Sequence, residues 1–307
     1  MAKNDYSRRS KKDVFWGDET TTTPYDTLSE NSETANDDTE DDFDVERFIR
    51  KNDSNITKTV VTKIVIQILV VVLLLCITFL IRQLLCFSIF FYIIAFLIIS
   101  NKFTNDYAEH INHAIKSLKK IKHYKHKTEG GAAWGKMISC PGKQHTKGLT
   151  RIEIGDNIIN AMDLELYQNI GRYDTITYFT GEYYDVSFGD KSFANNVMLV
   201  NGNIEHVKKR GYTFQHEGYT IYAYNEDYIE NSDMNRVYAL AQKLRNYLNN
   251  KNFIINFTGD KILLMLAADI KDNFHYGFFN YDIADRLRRD LTLLKNRIKI
   301  AKILASA

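Results

Sequence analysis

An α+β domain joined to a transmembrane helical hairpin is the architecture this sequence predicts, and three observations predict it. Ile64 to Ile99 form an almost unbroken apolar block, interrupted only by Arg82 and Gln83. From about Arg151 onward, short aromatic and β-branched runs alternate with turn residues, the pattern of strands. Two later segments repeat apolar residues at three- and four-residue steps, the pattern of amphipathic helices.

As one helix the apolar block would be roughly 54 Å long, far beyond a ~30 Å hydrocarbon core. Two spans, about 60–81 and 84–100, fit better, so residues 57–102 read as a hairpin with its tip at Arg82 and Gln83. The second run, Leu84 to Ile99, is only ~24 Å long, and Phe103 extends it across Lys102, whose ammonium can snorkel to the headgroups. The turn lacks Gly and Pro, which leaves a re-entrant second segment as the alternative. Arg47, Arg50, Lys51, Lys58 and Lys63 precede the first span, and Lys102, Lys116, Lys119 and Lys120 follow the second. Basic flanks stay in the cytoplasm, so the expectation is a multi-pass cell-membrane protein with both termini cytoplasmic. Met1 to Asp44 is polar and does not resemble a signal peptide.

Residues 1–56 read as a disordered acidic tail, with the Thr20 to Thr23 run and the cluster Asp37, Asp38, Glu40, Asp41, Asp42 and Asp44. Such a segment buries too little apolar surface to offset chain entropy. The alternative is an acidic arm that docks on the basic stretch after the spans or on a partner. The net charge of +2 conceals this segregation, because acids crowd Glu30 to Glu46 while lysine and histidine crowd Lys116 to Lys127. Cys76 and Cys86 lie in the apolar block and Cys140 stands apart, so the spacing offers neither a disulfide framework nor a zinc site.

After the spans, residues 103–129 read as a basic amphipathic juxtamembrane helix. Tyr107, Ile111, Ala114, Ile115, Leu118 and Ile121 form its stripe, opposite Lys116, Lys119 and Lys120. Lys116, Lys119, Lys120, Lys122, Lys125 and Lys127 are the candidate membrane-surface contacts, each gaining about 1 kcal/mol against anionic lipid headgroups. Nucleic acid is the rival ligand for these cations. His110 with His113 and His123 with His126 share an i,i+3 spacing, but the nearby lysines repel a divalent cation and the stretch supplies no carboxylate or thiolate at matching spacing.

Residues 130–149 read as a Gly-rich linker containing Pro141 and Gly142. Its start, Gly130-Gly131-Ala132-Ala133-Trp134-Gly135-Lys136, satisfies part of a phosphate-binding loop. Met137 stands where Ser or Thr would hold Mg²⁺, and a lysine-rich helix end precedes it in place of a strand. Ile262 to Asp269, which imitates a second nucleotide motif, reads as a hairpin strand.

The domain at 150–307 is expected to hold a mainly antiparallel sheet. Thr175 to Phe188 and Lys191 to Val200 flank Gly189-Asp190, and Phe253 to Thr258 and Lys261 to Ala268 flank Gly259-Asp260, each suited to a II′ hairpin turn. Asn201-Gly202 and His216-Glu217-Gly218 suggest reversals around Ile204 to Lys208 and Tyr219 to Tyr224. One helix opens near Ser232 or Asp233 with Val237, Leu240, Ala241, Leu244 and Leu248 on one face. Another opens near Asn280, with Ile283, Leu287, Leu291, Leu294, Ile298 and Ala301 on a stripe. Strand alternation explains Tyr178, Tyr183, Tyr184, Tyr222 and Tyr224 before any base-stacking surface does.

The spans and following domain, with Tyr219-Thr220-Ile221-Tyr222-Ala223-Tyr224-Asn225, the helix from Asp233, the Asn252 to Ala268 hairpin and Asp272-Asn273-Phe274, resemble the bacterial domain-of-unknown-function family 3137. The resemblance covers roughly Asp174 to Leu304 and rests on the order of elements. It implies a bacterial inner or plasma membrane protein and carries over neither activity nor site. The residues thus point to a non-enzymatic, membrane-tethered binding, sensing or scaffolding module, with a protein partner and no catalytic, cofactor or metal residues. A nucleotide-binding or enzymatic module at Gly130 to Lys136, and a nucleic-acid tether at Lys116 to Lys127, are the alternatives.

Overall fold

The computed structural model describes residues 44–80, 85–115, 121–124, 133–171, 174–189, 197–224, 232–270, 273–274 and 281–307. It is α+β, with a large antiparallel sheet and one helix long and apolar enough to cross a membrane among the described residues. That helix, α1 (Val45–Leu80), has 36 residues and spans ~54 Å. A second helix, α2 (Leu85–Ala114), runs antiparallel beside it, since Phe48 meets His113, Thr59 meets His110 and Lys63 meets Phe103.

Of the stretch read as an acidic tail, residues 1–43 lie outside the described residues and residues 45–56 are helical instead. Asp44 caps α1 by accepting the Arg47 N–H on Oδ1 at 3.0 Å, and Ile49 and Ile56 are buried one face along. The juxtamembrane helix is likewise shorter than 103–129. Tyr107, Ile111, Ala114 and Ile115 form the expected buried stripe, but α2 stops at Ala114 and the chain resumes as strand β1 (Ile121–Tyr124). Ile121 keeps its apolar burial by pairing with Ile152 instead of extending the helix.

The linker at 130–149 is also corrected. Ala133–Lys136 forms a 3₁₀ turn, Met137 and Ile138 are buried, and β2 (Lys143–Ile154) has already begun. Its glycines serve close approach: a Cβ at Gly142 would meet the Tyr167 carbonyl oxygen, and Gly148, at φ +64°, sits in the bulge between Lys147 and Thr150. β2 turns through Gly155-Asp156 into β3 (Asn157–Ile170), a hairpin absent from the sequence reading. Then follow β4 (Asp174–Ser187), β5 (Val197–Asn201), β6 (Tyr212–His216), β7 (Tyr219–Ala223), α3 (Ser232–Tyr247), β8 (Phe253–Phe257), β9 (Lys261–Ala267) and α4 (Ile283–Ala305).

The nine strands lie in the order β1-β2-β3-β4-β9-β8-β5-β7-β6, all neighbours antiparallel. The β8–β9 hairpin turns through Gly259-Asp260, with Gly259 at φ +72°. The hairpin read across Gly189-Asp190 does not form. β4 pairs with β3 and β9, whereas β5 lies between β7 and β8. Length and burial decide this: β4 matches the equally long β3, and the wholly buried β5 needs neighbours on both sides. Ile204 to Lys208 supplies only a single bridge, Val207 to Ile138.

Both faces of the sheet are apolar. Ile159, Ala161, Tyr184, Leu199, Ile255 and Leu264 meet the four helices, while Met162, Leu164, Tyr183, Met198, Ile254 and Met265 lie under Met137 and Ile138. Central strands such as β8 and β9 therefore read as continuous apolar runs. Gly181 lies where β4 meets β9, and a Cβ there would stand 2.0 Å from the Leu266 carbonyl oxygen. Gly181→Ala must spread the two strands, and chemical denaturation is expected to show a loss of about 2 kcal/mol or more.

Candidate functional site at the helix–sheet junction

Beyond Lys63, α1 carries no ionised residue, and its apolar side chains turn outward on every side. Val61, Val65, Ile68, Leu69, Val72, Leu73, Leu75 and Phe79 are exposed, as are Phe90, Ile93, Leu97 and Ile98 on α2. Only 6% of the most apolar 18-residue window of α1 is buried. At about 1.5–3 kcal/mol for burying each large apolar side chain, this surface has a strong demand for a non-aqueous environment.

Where this surface meets the domain, polar and aromatic groups join the apolar helices to α4. Lys63 is fully buried, its Nζ 5.6 Å from the Phe103 ring and 5.4 Å from the Tyr281 ring. The Tyr281 hydroxyl donates to Gln67 Oε1 at 2.9 Å, one turn farther along α1. Arg288 bridges to Glu46 and donates to Asp285 at 2.6 Å. Inside, the Tyr107 hydroxyl donates to Asp290 Oδ2 at 2.5 Å, and Asp290 Oδ1 accepts the Phe274 N–H at 3.2 Å. Burial raises both the Asp290 carboxyl and the Tyr107 phenol above their ordinary values. The proton between them therefore stays on the pair.

Two turns beyond Asp290, Arg297 enters the helix–sheet interface and is completely buried. Its Nε donates to Glu182 Oε1 at 2.8 Å, one terminal nitrogen to Asp163 Oδ1 at 2.6 Å, and the other to the Gly148 carbonyl at 2.6 Å. Asn273 also donates to Asp163 Oδ1, and the Tyr184 hydroxyl donates to Glu182 Oε2. The Phe274 ring closes the cluster 4.9 Å from the guanidinium and 4.4 Å from the His123 ring. One guanidinium faces two carboxyl groups, and Asp163 Oδ2 has no hydrogen-bond partner among the described residues. Burial therefore pushes the Asp163 carboxyl up to about 7 despite Arg297. His123, beside Thr150 Oγ1 at 3.1 Å, is pushed down to about 3 by burial and by Arg297, so its ring is neutral. Asp163, Glu182 and Arg297 have no exposed surface, so the ionic part of this cluster is placed to orient and lock the fold.

Of the candidate membrane-surface lysines, Lys122 is exposed on β1, paired in register with Arg151. Lys116, Lys119, Lys120, Lys125 and Lys127 lie outside the described residues. The Gly130 to Lys136 motif has its described part, Ala133–Lys136, in a short 3₁₀ turn. There the Ala133 N–H is already donated to the Tyr183 hydroxyl, and Lys208 donates to the Gly135 carbonyl. Ile262 to Asp269 contains β9 in place of a nucleotide motif. His110 and His113 both lie on α2, His123 faces Thr150 and His126 lies outside the described residues; no group of three or more metal-binding side chains converges among the described residues. The junction residues Lys63, Asp163, Glu182, Asp290 and Arg297 were missed by sequence reasoning, although Asp290 and Arg297 fall on the apolar stripe of α4.

No family model matches the chain. No curated protein and no solved structure matches it either.

Arg297→Met leaves Asp163 and Glu182 buried without their cation, and denaturation is expected to register a loss of about 3–5 kcal/mol. The raised Asp163 carboxyl makes a contribution that is full at low pH and lost as pH rises from about 4 through about 7. Asp163→Asn is therefore expected to gain stability relative to the wild type over that window. The depressed His123 gives the opposite limb, full above about 6.5 and lost as pH falls toward about 3. His123→Phe should flatten that acid limb in a pH series of melting temperatures.

Proposed function

We propose that this chain is a membrane-tethered binding module. Its α1–α2 pair is a hairpin anchor in a bacterial plasma membrane, and its sheet domain meets a protein partner at the cytoplasmic leaflet. The observation that carries this reading is the outward-facing apolar surface of α1 beyond Lys63. The antiparallel course of α2 supports a hairpin over a single span, because it returns the chain to the side on which α1 began.

The basic residues support the orientation. Arg47, Arg50, Lys51 and Lys58 lie at the domain end of α1, and Lys102 follows the apolar part of α2. Exposed Lys122 and the neighbouring lysines of the sequence add attraction to anionic headgroups near the leaflet. A binding role accords with the described charge cluster, which is sealed from solvent and suited to holding a shape.

Membrane extraction and site-directed labelling test the reading, after Cys76, Cys86 and Cys140 are replaced by Ser. Gln83→Cys should react with an impermeant maleimide in intact cells, whereas Ala307→Cys should react only after permeabilisation. Protection of Gln83→Cys in intact cells would defeat the exterior tip. Leu69→Asp with Leu73→Asp should release the chain into the alkaline-soluble fraction, since each acid costs about 2.5–3.5 kcal/mol at the middle of a span.

A further inference from the structure

Among the described residues the sheet ends at β6, which pairs with β7 on one side and with no described strand on the other. An antiparallel ladder leaves every second residue of such an edge with its N–H and C=O turned outward. Edges are commonly blunted by a bulge, a proline or a charge, yet β6 is Tyr212-Thr213-Phe214-Gln215-His216 in unbroken register with β7. Its helix-side residues form an open aromatic shelf. Tyr212 is 49% exposed, Phe214 packs against the core, and the His216 ring lies 4.4 Å from Tyr238 of α3. Lys208, Lys209 and Arg210 immediately precede the edge.

The chain carries a segment of matching chemistry. Asp13-Val14-Phe15-Trp16-Gly17-Asp18-Glu19 is an aromatic run bounded by acids, with no proline to interrupt a ladder. We propose that residues 13–19 add to the β6 edge of their own chain as an antiparallel tenth strand. Setting Phe15 opposite Phe214 brings Glu19 beside Arg210, so the acidic end of the segment meets the basic end of the edge, while Asp13 falls opposite His216. Phe15 then lies beside Phe214 on the shelf, next to the stacked His216 and Tyr238 rings, and aromatic pairs of this kind stabilise adjacent strands.

The tether permits it. The start of α1 lies toward the β1 end of the sheet, since Phe48 stacks near His113 and Asn112 accepts the His123 N–H. Crossing from β1 to β6 takes eight strand spacings, about 38 Å. The stretch between Glu19 and Asp44 has a root-mean-square reach of about 28 Å as a coil and about 85 Å when extended. The same edge is the natural place for a partner's strand, so the segment acts as a built-in competitor for it. This last role rests on the binding-module reading, but the docking does not, and it is tested in detergent without reference to membrane topology.

Full-length protein with the native cysteines replaced by Ser and carrying Trp16→Cys with Thr213→Cys should form an intrachain product with a short bis-maleimide. The pair Ser32→Cys with Thr213→Cys should form at least tenfold less. Adding Val14→Ser with Phe15→Ser should lower the first yield at least tenfold and speed amide exchange in β6 at least tenfold, while β8 and β9 stay protected. Equal yields from the two pairs, cross-links only between differently tagged copies, or β6 exchange indifferent to Val14 and Phe15 would each overturn the proposal.

Discussion

The buried guanidinium of Arg297 is the interaction on which the arrangement of this protein depends. It extends from α4 to the Asp163 carboxylate of β3, the Glu182 carboxylate of β4 and the Gly148 carbonyl of β2, so one side chain fixes a helix across three strands. Hydrophobic packing alone would let α4 slide or rotate on the apolar sheet, since Ile, Leu and Val contacts are nearly interchangeable. A fork that must find its acceptors together admits one position. Such a site is costly to desolvate, and the raised Asp163 carboxyl lowers that cost wherever it takes up a proton, because less charge is then buried.

Having been fixed on the sheet, α4 in turn fixes the apolar helices. Asp290 lies two turns before Arg297 and receives the Tyr107 hydroxyl of α2; Arg288 reaches Glu46 of α1; Tyr281, just before α4, reaches Gln67. These contacts are spread along α1 from its first turn to the beginning of its apolar part. The two apolar helices are consequently a continuation of the domain's own core, in which Ile49, Ile56, Phe103 and Ile111 join the residues of α3 and α4. A load on the exposed half of α1 is therefore transmitted to the sheet through packed side chains.

How much of this was legible in the sequence follows from which interactions are local. The β8–β9 turn, the stripes of α3 and α4 and the outward-facing apolar surface are written in short-range patterns and emerge where periodicity places them. Strand neighbours are not local. Gly189-Asp190 looked like Gly259-Asp260, but β5 found β7 and β8 because its buried backbone needed partners on both sides. Glycines misled in the other direction, since Gly142 and Gly148 suggested a linker where they allow β2 to lie close to its neighbours. The charge cluster had one readable signal: Arg297 and Asp290 interrupt an otherwise apolar stripe. Their partners, more than a hundred residues away in Asp163, Glu182 and Tyr107, come together only through the fold.

The position of Lys63 links these features to the proposed anchor. From Ile64 to the end of α1 the apolar length is about 25 Å, shorter than a hydrocarbon core of ~30 Å. A short span draws its polar flank toward the headgroups, and the flank here cannot yield by uncoiling because Lys63 is enclosed by Phe103 and Tyr281. Snorkelling is closed to a buried ammonium in a way that it is not to exposed Lys102. In a membrane, the mismatch would therefore pull the whole junction, with Tyr281 and the first turn of α4, against the leaflet. Tyrosine favours that boundary, since its ring and hydroxyl divide between apolar and wet surroundings. The same contacts that make the helices part of the core would thus hold the sheet domain close to the bilayer and limit the directions from which a partner can approach it.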